Sequence, residues 1–153
     1  MSTEQRPVVL QPHEGVTVAV GPTTVRFLSV GADTAGRSSA EEISVPAGFG
    51  GPPPHTHART DHSWYVTEGR LRLTLAGVAH DVGPGAFLHV PRYTAHTFAN
   101  PGTEFARMVE FTVPSGFDTY LRELAEAFPA GTEIEPARMI EIMARHDTFP
   151  TES

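Results

Sequence analysis

Short runs of alternating apolar and polar residues, separated by glycine and proline, fill most of the chain. The clearest is residues 71–75, LRLTL, in which the three leucines share one face and Arg72 and Thr74 share the other. A period of two is typical of a strand with one buried face and one face in solvent. The pattern therefore predicts a half-buried strand here, with turns at Gly69 and Gly77 on either side.

Further segments rich in β-branched or alternating residues also predict strands. They are residues 16–20, 23–30, 40–45, 63–67, 78–82, 86–90 and 104–113, together with a strand that begins at about Ala95. So many short strands, with turn residues and no helical crossovers between them, predict an all-β sandwich or a closed barrel. Periodicity alone does not choose between these two architectures.

The pattern changes to a helical one after Pro114. Apolar residues then recur at helical spacing: Phe117, Tyr120, Leu121, Leu124 and Phe128. Pro129 ends this helix, and a second one is expected to open at Glu135 and Pro136 and to run to about Arg145. We expect both helices to pack over the sandwich or to close one end of a barrel.

The length of 153 residues suits one domain with a substantial core. We predict a single domain over 1–153, with an N-terminal arm and hairpin at 1–35, the β core at 36–113 and the C-terminal helices at 114–153. Residues 1–15 lack an apolar run long enough for a signal peptide or a membrane span, so we expect a cytoplasmic protein.

Charge and composition narrow the classes of partner. The chain has 18 acidic and 11 basic residues, a formal net charge of -7 at pH 7, and no cluster of basic residues. This balance argues against nucleic acid or a membrane as a partner and favours a small molecule. Because the chain has no cysteine, a metal site would have to use imidazole or carboxylate ligands.

Four histidines provide such ligands. His55 and His57 follow a stiff Gly-Gly-Pro-Pro-Pro run and, on an extended strand, leave the same face, while His62 follows five residues later. His96 stands on a later strand, from which antiparallel pairing would bring it to the other three. Imidazole is the commonest metal ligand in proteins, so we predict that His55, His57, His62 and His96 bind a metal ion.

Three residues near these histidines are candidates for the rest of the site. Asp61 is our candidate catalytic residue, and it could instead hold one imidazole in a single tautomer or be a solvated loop acid. If His62 faces the interior, Trp64 shares its face, and Phe98 shares the face of His96. Trp64 and Phe98 would then line a substrate cavity for a flat molecule, although ordinary barrel core explains them equally well.

The two histidine segments resemble the paired motifs of the cupin superfamily. The matching spacings are His55-x-His57-x4-His62-x6-Gly69 and Gly85-x5-Pro91-x4-His96-x3-Asn100, separated by fifteen residues. The chain departs from the motifs at three positions. Phe49 and Tyr93 stand where the motifs have glycine, and His62 stands where the family has glutamate.

This resemblance covers about residues 40–113 and implies a fold and a cofactor. The fold would be the double-stranded β-helix of cupins, a jelly-roll barrel, followed by one or two C-terminal helices. The cofactor would be one divalent metal ion, for which we expect zinc, with iron or nickel as alternatives. A homodimer is also implied by the family.

The exchange of glutamate for His62 bears on the reaction. Dioxygenases that resemble quercetinase commonly have three histidines and one glutamate, which can act as a base. Without that carboxylate the metal keeps its full dipositive charge, so it could polarise the carbonyls of a chelated β-diketone and promote aldol closure and loss of water. The chain is similar in this respect to the small aromatic polyketide cyclases of the resistomycin type, which act in antibiotic biosynthesis.

Three hypotheses follow. The first is a metal-dependent aromatic polyketide cyclase that needs no oxygen. The second is a quercetinase-like dioxygenase that depends on oxygen and on iron or nickel. The third is a non-enzymatic cupin that binds a sugar or another metabolite and retains a vestigial metal site.

Overall fold

The computed structural model describes residues 5–152, in which strands predominate and helices gather near the C-terminus. The strands of this part of the chain are β1 (Thr17–Val20), β2 (Thr23–Ser29), β3 (Ser39–Val45), β4 (His55–Thr56), β5 (Asp61–Glu68), β6 (Leu71–Leu75), β7 (Val78–Val82), β8 (Phe87–Val90), β9 (His96–Ala99), β10 (Ala106–Val113) and β11 (Phe149–Pro150). The helices are α1 (Gly31–Thr34), α2 (Phe117–Ala127) and α3 (Pro136–Met143).

The strands form two sheets. One has six strands in the order β1-β2-β3-β10-β5-β8, and the other has five in the order β11-β4-β9-β6-β7. The pairings within both sheets are antiparallel. The predicted all-β architecture with C-terminal helices is thereby confirmed, and the sheets are consistent with a jelly-roll barrel.

The inward face of β10 changes from apolar to polar along its length. Met108 is fully buried and is flanked in register by Ile43 on β3 and Val66 on β5, so this end of the barrel is ordinary core. Two residues further on, the inward side chain is Glu110, and two further it is Thr112, both of them buried. Polar groups are costly to bury, so this end of the barrel has the composition of a site.

The two C-terminal helices pack against the barrel. Tyr120, Leu121 and Leu124 form the buried stripe of α2. The start of α3 has Pro136 in its first turn and the carboxylate of Glu135 accepting hydrogen bonds from the backbone of the same turn, as the sequence predicts. Within residues 5–152, no helix has the length and apolar character needed to cross a membrane.

Candidate metal centre

The four predicted histidines meet between the two sheets. His55 on β4 and His96 on β9 are paired in register, so their rings lie side by side with centroids 4.4 Å apart. His62 approaches from β5 in the opposite sheet, and His57 lies just after β4. All four side chains are buried. The strand pairing inferred from the sequence therefore brings distant histidines to one place.

Three of the histidines form a compact group. Ligand atoms of His55, His57 and His96 all lie within 4.8 Å of one another, so these three could bind one metal ion. His62 lies outside that group but beside it. Its ring stacks on His57 with centroids 4.3 Å apart and lies 5.5 Å from the ring of His96. The rings of His57 and His96 therefore lie between the other two. The ring of His55 contacts both of them, and so does the ring of His62.

Hydrogen bonds fix the orientation of every ring in this cluster. In each imidazole Nδ1 faces an oxygen acceptor, so the Nδ1 proton is donated there and Nε2 keeps its lone pair. The acceptors are Pro53 O at 2.8 Å from His55, Asp147 O at 3.0 Å from His57, Glu110 Oε2 at 3.2 Å from His62 and Thr94 O at 2.8 Å from His96. Nε2 of His57 and Nε2 of His62 are buried without a hydrogen-bond partner among residues 5–152. These are the donors that a divalent metal ion requires.

Electrostatics keep three histidines of the cluster, His55, His57 and His96, in the protonation state that binds metal. Burial, together with the neighbouring imidazoles, lowers the pKa of His57 to about 3 and that of His96 to about 2. Burial also lowers the pKa of His55. Because only neutral imidazole binds a metal ion, these histidines need not lose a proton before binding at neutral pH.

The C-terminal segment supports His57, a contact that the sequence did not predict. After α3 the chain returns to the barrel, and β11 pairs with β4. Asp147 accepts the Nδ1–H of His57 on its backbone oxygen, and its carboxylate accepts hydrogen bonds from the backbone N–H groups of Ala58 and Arg59. The hydroxyl of Thr148 also lies 3.3 Å from His57 Nδ1. The C-terminal segment is therefore part of the site.

The structure places Asp61 away from the imidazoles. Its carboxylate accepts hydrogen bonds from the backbone N–H and from Nε and Nη2 of Arg92, at 2.9 to 3.1 Å. These bonds lower the pKa of Asp61. The carboxylate that contacts a histidine of the cluster is that of Glu110, which the sequence did not predict. Asp61 instead ties the start of β5 to the turn that precedes His96.

Two motif positions have structural roles. Tyr93 occupies a glycine position and adopts the left-handed conformation that favours glycine, with φ 68°. Its N–H donates to the backbone oxygen of His57 at 2.7 Å, so the turn before His96 is joined to the first histidine segment. The amide of Asn100 donates to the backbone oxygens of Val45 and Glu104 and accepts from Gly102 N. Asn100 thus fixes the loop that follows β9 to the end of β3.

An apolar cavity adjoins the histidines. It contains about 630 Å³ of space not filled by atoms, its open mouth included, and its walls include His55, His62 and His96. Both predicted cavity residues, Trp64 and Phe98, line it, with their ring centroids 6.2 Å apart. The cavity is also lined by Tyr120, Leu121 and Leu124 of α2 and by Met139 of α3. Glu110 adds a carboxylate to the cavity wall. Apart from Asp61, the sequence predicts no carboxylate near the metal ion.

Comparisons with known proteins agree with this geometry. The family model described as "Cupin domain" matches residues 41–112. Quercetin 2,3-dioxygenase from Bacillus subtilis (strain 168) is 27% identical over 122 residues, which are 80% of this chain and 36% of that protein. The chain therefore spans about a third of the length of this relative.

Solved structures with the same fold include two small proteins. The polyketide cyclase RemF from Streptomyces resistomycificus superimposes with a TM-score of 0.62 and 28% identity, over 71% of this chain and 80% of the cyclase. KdgF from Halomonas sp. superimposes with a TM-score of 0.65 and 18% identity, over 74% and 99% of the two chains. At that identity KdgF supports the fold alone.

Proposed function

Because the chain is a small member of the cupin superfamily, we propose that it is a metal-dependent cyclase of a poly-β-ketone, the intermediate of aromatic polyketide pathways. The observation that carries this proposal is the histidine cluster itself. Four buried imidazoles direct Nδ1 to fixed acceptors, and three of them, those of His55, His62 and His96, line an apolar cavity.

The proposed metal ligands are His55, His57 and His96, with His62 as the fourth. These residues would hold a divalent ion, for which we propose zinc, and the ion would supply a Lewis acid able to polarise the carbonyl oxygens of a 1,3-diketone and acidify the carbon between them. The four ligands are neutral, so they do not offset the positive charge. A site of this kind favours closure of an aldol ring and loss of water without a change of oxidation state.

The walls of the cavity have a separate role. Trp64 and Phe98 present aromatic surface next to His96, and Phe49 packs against Phe98 with ring centroids 5.9 Å apart. Such walls bind a flat apolar chain and exclude water, which strengthens electrostatic interactions inside the cavity. Tyr120 lies in the same wall. We infer that its hydroxyl donates to a carbonyl oxygen of the bound chain.

A quercetinase-like dioxygenase is the second candidate, and the 27% identity to the Bacillus subtilis enzyme favours it. The two reactions can be distinguished by their need for molecular oxygen: the dioxygenase consumes it and the cyclase does not. A cupin that only binds a metabolite is the third candidate and would keep its ligand affinity when metal is removed. The homodimer implied by the family stays a prediction for any of the three.

The aromatic wall gives a test of ligand class. Phe98→Ala is expected to weaken binding of benzoylacetone to the zinc-loaded protein by roughly tenfold, because the phenyl ring loses an aromatic neighbour. Binding of acetylacetone, which has no phenyl ring, should change by less than about threefold. Both affinities can be measured by titration, following the ultraviolet absorbance of the diketone.

Phe87→Ala is the matched control, because Phe87 lies on the outer face and is 63% exposed. It should leave both affinities unchanged. Equal weakening by the two substitutions, or an unchanged benzoylacetone affinity in Phe98→Ala, would remove Phe98 from the proposed binding wall.

A further inference from the structure

Glu110 is a buried carboxylate with an unusual set of neighbours. It lies on β10, directly opposite Glu41 on β3 and directly opposite Trp64 on β5. Its side chain is 3% exposed. Oε2 accepts hydrogen bonds from the indole Nε1 of Trp64 at 2.5 Å and from Nδ1 of His62 at 3.2 Å. Of its neighbours, only His62 belongs to the histidine cluster.

The burial of this carboxylate needs an explanation. Removing an ionised carboxylate from water costs several kcal/mol even after the protein relaxes. No arginine pairs with Glu110 among the described residues, and its Oε1 has no hydrogen-bond partner there. The hydrogen bonds that Trp64 and His62 donate to Oε2 therefore compensate for its burial.

The other three histidines are held differently. Their Nδ1 atoms face backbone oxygens, and the path of the backbone sets the positions of these oxygens. His62 alone among the four faces a side-chain carboxylate oxygen, that of Glu110. A carboxylate that accepts the Nδ1 proton makes the opposite nitrogen a stronger donor than a carbonyl does.

We propose that Glu110 is a positioning residue that makes His62 the fourth metal ligand. Its Oε2 fixes the tautomer and the ring plane of His62, so that Nε2 is presented to the centre formed by the other three histidines. Trp64, through its own bond to Oε2, holds the carboxylate in place. This inference rests on the metal site of the proposed function and not on the reaction carried out there.

Glu110→Gln is the direct test, because the amide keeps the size of the side chain and removes its charge. The dissociation constant for zinc is expected to rise ten- to hundredfold. It can be measured by competition with a chromophoric chelator. Glu41→Gln is the matched control, since Glu41 lies opposite Glu110 in the same sheet and its carboxylate oxygens make no hydrogen bond within residues 5–152. It should change the constant by less than about threefold.

A double-mutant cycle separates positioning from a general effect on the fold. If Glu110 acts through His62, then Glu110→Gln should have little further effect on zinc affinity in a His62→Ala background. Additive losses of affinity would show that Glu110 acts by another route and would overturn the proposal. Thermal unfolding of the metal-free variants, followed by circular dichroism, confirms that each one is folded before titration.

Trp64 gives a second readout that needs no enzyme activity. It is the single tryptophan of the chain, its indole donates to Glu110, and its ring lies 5.5 Å from that of His96. Zinc binding should therefore change the fluorescence of the wild-type protein. Wild-type affinity in Glu110→Gln would overturn the positioning role and leave the cyclase proposal standing, whereas failure of the wild-type protein to bind any metal would overturn both.

Discussion

His96→Ala is expected to abolish stoichiometric metal binding. His96 is in contact with all three other histidines of the cluster, at ring-centroid distances of 4.4 Å to His55, 4.9 Å to His57 and 5.5 Å to His62. Mutation of a residue that only orients a ligand typically lowers metal affinity ten- to hundredfold. Removal of a ligand itself should therefore lower the affinity by more than roughly a hundredfold. Metal content after dialysis, measured by mass spectrometry on protein without a histidine tag, checks the result.

His89→Ala is the control for this substitution. His89 is exposed on β8, and its ring contacts Ser63 on the outer face of the sheet. This variant should retain one equivalent of metal. Full metal content in His96→Ala would contradict the assignment of the cluster as the metal site.

Gly51→Ala should destabilise the protein strongly. Gly51 has φ +91°, and a Cβ placed on it would lie 2.1 Å from the backbone oxygen of Phe98. Left-handed backbone strain and the displacement of a backbone atom together should lower the free energy of unfolding by roughly 3 kcal/mol. Because Gly51 opens the proline run before His55, the variant should also bind metal more weakly. Urea unfolding of the metal-free protein measures the first effect.

The neighbouring Gly50 provides the comparison. A Cβ on Gly50 would meet nothing within 4 Å, so Gly50→Ala should change the free energy of unfolding by less than about 0.5 kcal/mol. Equal stability of the two variants would show that the close approach of residue 51 to β9 does not hold the histidine segment.

The sequence predicted the fold and the histidine cluster well for identifiable reasons. The alternation in residues 71–75 and the turn glycines are local signals, and the structure confirms the strand at Leu71–Leu75. His55 and His96 are far apart in sequence, but each belongs to a motif with fixed spacing. Pairing of the two motif strands was therefore a sound expectation, and the rings meet as that pairing requires.

The contacts around the histidines could not be predicted in the same way. Asp61 is predicted as a residue that could orient an imidazole, but adjacent residues on a strand point to opposite faces, and Asp61 faces Arg92 rather than the ring of His62. Glu110 lies 48 residues from His62 and reaches it only through the register between β5 and β10. Asp147 reaches His57 because the chain returns after α3. No local pattern encodes either contact.

The presence of Glu110 refines the argument about the reaction. The exchange of glutamate for His62 removes a carboxylate from the motif position, but the cavity wall contains another one. Its Oε2 is occupied by Trp64 and His62, so its charge is directed to His62. The proposed centre would therefore have four imidazole ligands with one carboxylate next to them. The proposed cyclase chemistry, polarisation of carbonyl oxygens by the bound ion, would remain open to such a site.

The most direct test of the central claim is turnover of a poly-β-ketone mimic by the zinc-loaded protein with oxygen removed. The account predicts cyclised and dehydrated product at the same rate with and without oxygen, and loss of that product in His96→Ala. Turnover that requires both oxygen and iron or nickel would contradict the cyclase and would make the dioxygenase the function of this site.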